Sequence, residues 1–385
     1  MRNRIPRRRG HRGRARYLTT AVLALSVMAS ATACGDLSAT KSKEARELLP
    51  PPAIDRSNGL RIDGELVADR KLYEAAKKDT VILYSGTGKE AEDLAVARFE
   101  QDTGIKVELT RLPTNKLAER VLSENGAGKL SAEAIRITDP RIAQQLAKAG
   151  VYVPYRTPFH TKLRRQKAVT NDRFWTGYYF VNALGYNSAL VTDHPPTRWE
   201  DLTASRYRDK LGVVAITTGG TLNALARFQI ESFGPEFLMA QGRQNARIFD
   251  STSTEVDALA RGEISVASLS FNNAFAAQLA GAPIKLVIPE KGISASAGPL
   301  GLTAAGVRSP AARVFANWQM SKEGQSFAAA QGFVPARTDI KPVKSGEYQL
   351  PQADSPRFHL LTEKGFAQHA DADAKVWKKA FDFIG

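Results

Sequence analysis

Residues 72–88, LYEAAKKDTVILYSGTG, contain the pattern that decides the fold. The apolar positions of residues 71–78 have helical spacing, and residues 81–84 form an unbroken apolar run that predicts a buried β-strand. Residues 85–88 then supply the glycine-containing turn that ends a strand and leads into a helix. A helix, a buried strand and a glycine turn in this order are typical of α/β domains with a parallel sheet.

The same alternation continues along the chain, in two successive units. In the first unit we predict strands at 105–109 and 134–138, and helices at 90–102, 116–125 and 141–149. In the second unit, after Asn187, we predict strands at 211–216, 246–249, 264–269 and 284–288, and helices from Trp199 and at 222–233, 255–261 and 271–280. Helices at 310–331 and 371–383 complete an α/β fold with mainly parallel sheets.

Five short motifs occur in a fixed order along this pattern. They are 72–86 (LYEAAKKDTVILYSG), 184–187 (LGYN), 196–202 (PTRWEDL), 321–325 (SKEGQ) and 335–337 (PAR). In this order and spacing they resemble bacterial substrate-binding proteins of the ferric-iron type, which have the type 2 periplasmic-binding fold. The resemblance implies two lobes joined by a two-strand hinge, with a ligand held in the cleft between them.

The resemblance and the composition together predict the domain boundaries. They are a signal peptide at 1–33, a lipidated cysteine and flexible tether at 34–70, a first lobe at 71–185 and 286–340, a second lobe at 186–285, and a C-terminal helical segment at 341–385. The tether is predicted from the polar composition of residues 35–60, which include three consecutive prolines at 50–52.

The chain departs from the ferric-iron family at the motif that binds the metal. Members that bind iron carry an adjacent tyrosine pair at the start of a second-lobe helix, and the matching residues 268–275 (SLSFNNAF) contain no tyrosine. Tyr178 and Tyr179 are adjacent, but they precede the predicted hinge crossing. The five histidines are scattered without metal-binding spacing, so we predict no metal and no cofactor.

The N-terminus has the composition of an export signal. Residues 1–16 contain eight arginines and no acidic residue, residues 21–29 are mostly apolar, and small residues lead to Cys34. Ala31-Thr32-Ala33-Cys34 resembles the bacterial lipobox, which predicts lipidation of Cys34. Two alternatives stay open: a basic nucleic-acid-binding arm, and simple cleavage that leaves a free thiol.

The charge and the cysteine count limit the partners. Cys34 is the only cysteine, so an intramolecular disulfide is impossible. The formal net charge is +15, and removal of residues 1–33 with their eight arginines would lower it to +7. Moderate positive charge suits an anionic ligand or membrane surface. No basic stripe interleaved with aromatic residues is present, so no nucleic-acid partner is predicted.

The candidate ligand-binding residues lie where predicted strands end and helices begin. They are Ser85, Gly86, Thr87, Thr138, Asp139, Thr218, Gly219, Gly220, Thr221, Asn272 and Asn273. Ligands of open α/β sheets bind beyond the carboxyl ends of the strands, where glycines let backbone N–H groups approach an anion. The alternative is that the Ser, Thr, Asp and Asn side chains in these loops only cap helices or stabilise turns.

These observations predict an extracellular solute-binding lipoprotein. It would capture a small polar or anionic solute by hinge closure and deliver it to an ABC permease, as a monomer anchored by acyl chains to the outer face of the cell membrane. It would not be an enzyme, because no G-x-S-x-G or H-E-x-x-H motif is present. The alternatives are a ferric-iron or iron-chelate binder, a ligand-sensing lipoprotein without a transport partner, and a hydrolase that uses a cleft carboxylate such as Asp139.

Overall fold

A computed structural model describes residues 47–163, 173–341 and 344–384. The predicted signal peptide, Cys34 and the tether before residue 47 lie outside the described residues. None of the described helices is long and apolar enough to cross a membrane.

Strands and helices alternate through most of the described chain. The strands are β1 (Ile54–Asp55), β2 (Leu60–Ile62), β3 (Glu65–Ala68), β4 (Thr80–Ser85), β5 (Lys106–Arg111), β6 (Ala134–Arg136), β7 (Phe174–Asn187), β8 (Leu211–Val214), β9 (Arg247–Phe249), β10 (Val266–Ser270), β11 (Ile284–Val287), β12 (Ile293–Leu302), β13 (Val334–Pro335) and β14 (Phe358–Leu361). The helices are α1 (Arg70–Ala76), α2 (Lys89–Thr103), α3 (Thr114–Gly126), α4 (Pro140–Lys148), α5 (Gly220–Phe233), α6 (Pro235–Gly242), α7 (Thr252–Ala260), α8 (Phe271–Leu279), α9 (Ala304–Arg308), α10 (Pro310–Met320), α11 (Lys322–Ala330) and α12 (Glu363–Ala380).

One large sheet has a parallel group of strands at each end. β5, β4 and β6 form one group, which we call the first end. β10, β8 and β9 form the other group, which we call the second end. The long strands β7 and β12 lie between the two ends and pair antiparallel, with a register shift at Gly298/Pro299.

β7 belongs to both parts of the sheet. Its first nine residues, from Phe174 to Asn182, pair with β12. Its residues 182–186 pair with β10 on one side, and its residues 184–187 pair with β11 on the other. Its sequence, FWTGYYFVNALGYN, is buried at every position except the half-buried Tyr186. A nearly continuous apolar run is typical of a strand covered on both faces.

Most predicted elements are confirmed to within a few residues. The predicted helix at 310–331 is instead two helices, α10 and α11, because Ser321 leaves the helical conformation and its side chain accepts a hydrogen bond from the Gly324 N–H. The start at Trp199 is a short 3-10 helix, Trp199–Thr203. The last helix, α12, begins at Glu363, earlier than predicted.

The predicted flexible tether is wrong for its second half. β1, β2 and β3 form a small antiparallel sheet there. Leu60, Ile62 and Val67 are fully buried in the main apolar core. The composition of this segment is polar, and its apolar residues are too few to show a strand period. The three strands were therefore not predictable from the sequence pattern.

A buried ionic cluster joins α2 to the start of α11. The Arg98 guanidinium is fully buried and lies 2.7 Å from a carboxylate oxygen of Glu323 and 3.4 Å from one of Asp102. It also donates to the backbone carbonyls of Leu49 and Pro50. Burial raises the pKa of Asp102 to about 6 and that of Glu323 to about 7, although Arg98 opposes both shifts.

We expect the protein to lose stability as the pH rises from 5 to 8. Because both carboxyls have a folded pKa above the unfolded value, the folded state holds protons there that the unfolded state has released. The free energy of unfolding should therefore fall across this range by on the order of 2 kcal/mol for either carboxyl alone. Thermal unfolding across this pH range measures the effect. Asp102→Asn should flatten the profile, whereas the exposed control Glu119→Gln should not. A melting temperature that rises with pH would show that pairing with Arg98 outweighs burial.

Candidate functional site

A cavity of about 40 Å³ lies between the two ends of the sheet, at the carboxyl ends of six strands. The first end contributes Gly86 and Gly88 after β4, Arg111, Pro113 and Thr114 at and after β5, and Thr138 after β6. The second end contributes Thr218, Gly219, Thr221 and Leu222 after β8, Ser251 and Thr252 after β9, and Ser270, Asn272 and Asn273 at and after β10. Phe180 of β7 completes the wall.

Seven of the predicted residues line this cavity. They are Gly86, Thr138, Thr218, Gly219, Thr221, Asn272 and Asn273. These residues come from three separate predicted loops and from the end of β6, and the fold brings them together. The alternative role for these loops was to cap helices with their side chains. It does not apply to the loop at Gly219, because no side chain caps the first turn of α5.

Ser85 and Thr87 lie behind the cavity wall. The Ser85 hydroxyl donates to a carboxylate oxygen of the buried Glu92 at 2.7 Å and accepts from the Thr87 N–H at 3.1 Å. The Thr87 hydroxyl lies 3.2 Å from the Tyr178 hydroxyl. These contacts hold the turn between β4 and α2 against β7, so the two side chains support the glycines that face the cavity.

Asp139 caps the first turn of α4, which is the alternative role predicted for it. Its carboxylate accepts from the Arg141 N–H at 2.8 Å and from the Arg141 guanidinium at 2.9 Å. It lies outside the cavity, on a neighbouring crevice between α4, α5 and α12. Asp139 is the carboxylate that the hydrolase alternative named, and in this structure its side chain is paired with Arg141.

The loops of the two ends touch each other beside the cavity. A Cβ atom on Gly220 would lie 2.5 Å from the Thr138 carbonyl oxygen and 2.8 Å from the Asp139 Cα. One on Gly219 would lie 3.0 Å from the Thr138 hydroxyl. Glycine is needed at residue 220 because the backbone of the opposite loop occupies the space of a side chain.

Hydroxyl and amide groups form most of the polar cavity wall. The hydroxyls of Thr114 and Thr138 lie 2.9 Å apart. The Asn273 amide donates to the Thr252 hydroxyl at 2.7 Å, which joins the loops after β9 and β10. The Thr218 hydroxyl donates to the Asp250 carbonyl. The wall therefore offers neutral donors and acceptors already held in position by their neighbours.

Four cavity-lining residues carry no local sequence signal of a site: Arg111, Thr114, Ser251 and Thr252. Arg111 is half-buried, and its Nε donates to the Thr87 carbonyl at 2.9 Å. Burial lowers the pKa of the Arg111 guanidinium, and the nearby Glu90 partly offsets the shift. The missed loops contain no glycine at the strand end, but the rule that ligands bind at carboxyl ends applies equally to them.

The described residues hold no group of three or more His, Cys, Asp or Glu side chains placed to bind a metal ion. Tyr178 and Tyr179 do not line the cavity, and burial raises the pKa of the Tyr178 phenol above its ordinary value.

A second, wider depression of about 670 Å³ lies beside the cavity, between α2, α7 and α8. Its wall is mostly apolar and includes Leu94, Val256, Phe275 and Leu279. Asn273 lies on both surfaces. This apolar groove is the competing location for a ligand, and it lacks the convergence of strand ends that defines the cavity.

Comparison with known proteins identifies the class. Residues 130–353, more than half of the chain, match the family described as bacterial extracellular solute-binding protein. The chain therefore belongs to the family of bacterial extracellular solute-binding proteins. A stretch of 203 residues is 27% identical to an uncharacterized protein of Haemophilus influenzae and covers 49% of this chain and 58% of that protein. The match thus spans little more than half the length of that relative.

Solved structures confirm the two-lobed type 2 periplasmic-binding fold. The periplasmic binding protein AfuA of Actinobacillus pleuropneumoniae, with exogenous fructose-6-phosphate bound, is 18% identical with a TM-score of 0.62, over 79% of this chain and 98% of that one. Iron-bound HitA of Pseudomonas aeruginosa is 18% identical with a TM-score of 0.61, over 78% and 99%. The substrate-binding protein of an ABC transporter from Agrobacterium tumefaciens is 16% identical with a TM-score of 0.68, over 80% and 96%.

We expect Gly220→Ala to disturb the contact between the two ends. The added methyl group would collide with backbone, so the free energy of unfolding should fall by about 1–3 kcal/mol, or the loops should separate. Denaturant unfolding measures the first outcome, and an increased radius of gyration in small-angle scattering measures the second. Gly126→Ala is the matched control, because its Cβ would meet no atom within 4 Å. If both variants behave like the parent protein, the loops do not touch in solution.

Proposed function

We propose that this protein is the solute-binding component of an ABC importer, which captures a small polar solute in the cavity and delivers it to a membrane permease. The observation that carries the proposal is the convergence of six strand ends, three from each end of the sheet, on one cavity. Ligands of open α/β sheets bind at this position. Family membership and the two-lobed fold support the same class of function.

The contacts across the cavity suggest how capture would work. Gly219 and Gly220 of the second end meet Thr138 and Asp139 of the first end. These contacts must break to admit a solute and can re-form around it, which is the hinge mode of closure. A solute that bridges both ends binds the closed arrangement better than the open one, and this difference in affinity shifts the population.

Two alternatives are less well supported. HitA is iron-bound, and iron or an iron chelate would be the analogous ligand here, but the described residues contain no group of three or more His, Cys, Asp or Glu side chains placed to bind a metal ion. A sensing lipoprotein without a transport partner would use the same cavity. Binding measurements distinguish iron from other solutes, and identification of a permease partner distinguishes transport from sensing.

Thr218→Phe should abolish solute binding. Thr218 is half-buried on the cavity wall, and a phenyl ring is larger than the space available. Thr217→Phe is the matched control, because the adjacent Thr217 is exposed and does not line the cavity. Screening a library of small solutes by thermal shift, followed by calorimetry of each hit, measures binding to all three proteins. A hit bound equally by the parent and by Thr218→Phe would place the ligand elsewhere, for example in the apolar groove.

We further propose that residues 1–33 are removed and that the mature chain is anchored through acyl chains on Cys34. The support is the arginine-rich, apolar and small-residue order of the N-terminus and the single cysteine after it. An outer-surface location agrees with the extracellular family to which the chain belongs. Acylation at two positions would give stable attachment, because each buried methylene contributes about 0.8 kcal/mol.

Replacing Cys34 with alanine should release the protein from the membrane. Because Cys34 is the only cysteine, Cys34→Ala removes every acylation site that uses a thiol. Cell fractionation should find the parent protein in the membrane fraction and the variant in the soluble extracytoplasmic fraction. The intact mass of the parent should correspond to a chain that begins at Cys34 and carries acyl groups. An unmodified mass with the same cleavage would instead support a free thiol.

A further inference from the structure

The cavity wall contains one charged side chain. Of the described residues that line it, Arg111 is a cation and the others are neutral threonines, serines, asparagines, glycines and apolar residues. The Arg111 Nε donates to the Thr87 carbonyl, and the two terminal nitrogens have no hydrogen-bond partner among the described residues. The one acid that interacts electrostatically with Arg111 is Glu90, which is exposed and does not line the cavity. The site therefore has net positive charge, with two donor nitrogens available.

Four helices begin at this wall, and no side chain caps any of them. Their N-cap residues are Gly88 for α2, Pro113 for α3, Gly219 for α5 and Ser270 for α8, and all four line the cavity. Seven of the other described α-helices have a side chain that accepts a hydrogen bond from the first turn. α6, which starts with a proline after Gly234, has none. Uncapped helix starts add positive potential and backbone N–H donors.

The Thr221 side chain provides a second, independent observation. Thr221 is 7% exposed and lines the cavity, and its hydroxyl has no hydrogen-bond partner among the described residues. Its backbone carbonyl is already used, since it accepts from the Asn182 amide. Because Thr221 lines the cavity, this hydroxyl is accessible there as a hydrogen-bond donor or acceptor for a bound group.

We infer that the substrate of this cavity carries an oxyanion group, which Arg111 and the uncapped helix starts of both ends bind together. This inference rests on the proposed function and specifies its substrate class. Phosphate, phosphonate, sulfonate and carboxylate groups share the required chemistry, namely several acceptor oxygens around one negative charge. Arg111 donates from the first end, and Thr221 with the start of α5 donates from the second end.

The same wall disfavours cations. No acidic side chain among the described residues faces the cavity to balance an ammonium group or a metal ion. The hydroxyls of Thr138 and Thr252 and the amides of Asn272 and Asn273 already bond to neighbouring side chains. Each of these groups can form more than one hydrogen bond, so they can also contact a small neutral remainder of the solute. The substrate class is therefore a compact, polar solute that carries an oxyanion group and no cationic group.

The test uses matched pairs of ligands with the purified protein. Calorimetry and thermal shift would compare orthophosphate, sulfate and fructose 6-phosphate with uncharged fructose, with cationic putrescine, and with ferric citrate against citrate. Arg111→Gln removes the charge, Arg111→Lys keeps it, and Thr221→Val removes only the hydroxyl. Arg261→Gln is the control, because Arg261 pairs with Glu263 and is largely exposed at the far end of α7. Thermal unfolding without ligand verifies that each variant is folded.

We expect at least one oxyanion to bind the parent protein at millimolar concentration or below. Arg111→Gln should weaken binding by about 10- to 100-fold, which is the usual effect of losing a charge-assisted hydrogen bond. Thr221→Val should weaken it by several-fold, Arg111→Lys should retain part of the affinity, and Arg261→Gln should bind like the parent.

The outcomes separate this inference from the proposed function. If fructose binds as tightly as fructose 6-phosphate and Arg111→Gln has no effect, the anion assignment is overturned while the protein remains a solute binder. Binding of putrescine or of iron alone would overturn it as well. If no oxyanion binds at 10 mM, the inference is wrong, and the proposed function falls only if the broader solute library also yields no ligand.

Discussion

The antiparallel pairing of β7 and β12 is the constraint on which the rest of the structure depends. These two strands carry the chain between the ends of the sheet, and each also pairs with strands of a parallel group. Their register fixes how far the carboxyl ends of β4, β5 and β6 lie from those of β8, β9 and β10. A slip by one residue would turn every side chain of β7 to the opposite face. Because both faces of β7 are covered, its register is specified by particular contacts, such as those of the Tyr178 hydroxyl with Arg136 and Thr87.

A buried network of polar side chains connects β7 to the strand ends at the cavity. Arg136 at the end of β6 is 1% exposed and donates to Glu92 of α2, to the Tyr178 hydroxyl of β7 and to Gln319 of α10. Glu92 in turn accepts from Ser85 at the end of β4. A buried ion pair contributes little net stability, but loss of one partner leaves an uncompensated charge. This network thus fixes the relative positions of two strand ends, two helices and the crossing strand, and it keeps the glycines after β4 at the cavity wall.

The sequence predicted the class of fold and the part of the site where the signal is local. Gly86 and Gly219 were identifiable because a glycine that follows a buried strand marks a close backbone approach. Arg111 was not identified, because an arginine at a strand end resembles any exposed arginine until its neighbours are known. β7 was recognised only at residues 184–187, since a long apolar run interrupted by tyrosines has no clear period. The small sheet of β1, β2 and β3 was not predicted, because its sequence is mostly polar. The contact between Gly220 and Thr138 joins opposite ends of the sheet, so it depends on how all the strands between them pair. A local sequence pattern could not indicate it.

The cavity wall is assembled from short pieces that are distant in sequence. Gly86 and Asn273 are separated by nearly two hundred residues, and no continuous segment supplies more than a small part of the wall. A peptide copied from any one loop would therefore present only a small part of the wall, and unfolding of either end of the sheet should abolish recognition. A loop residue that does not contact a neighbouring loop can also change without altering the others, because each strand is anchored in the core. Such a scaffold can acquire a new specificity by changing the loop at one of the six strand ends while the other five loops are kept.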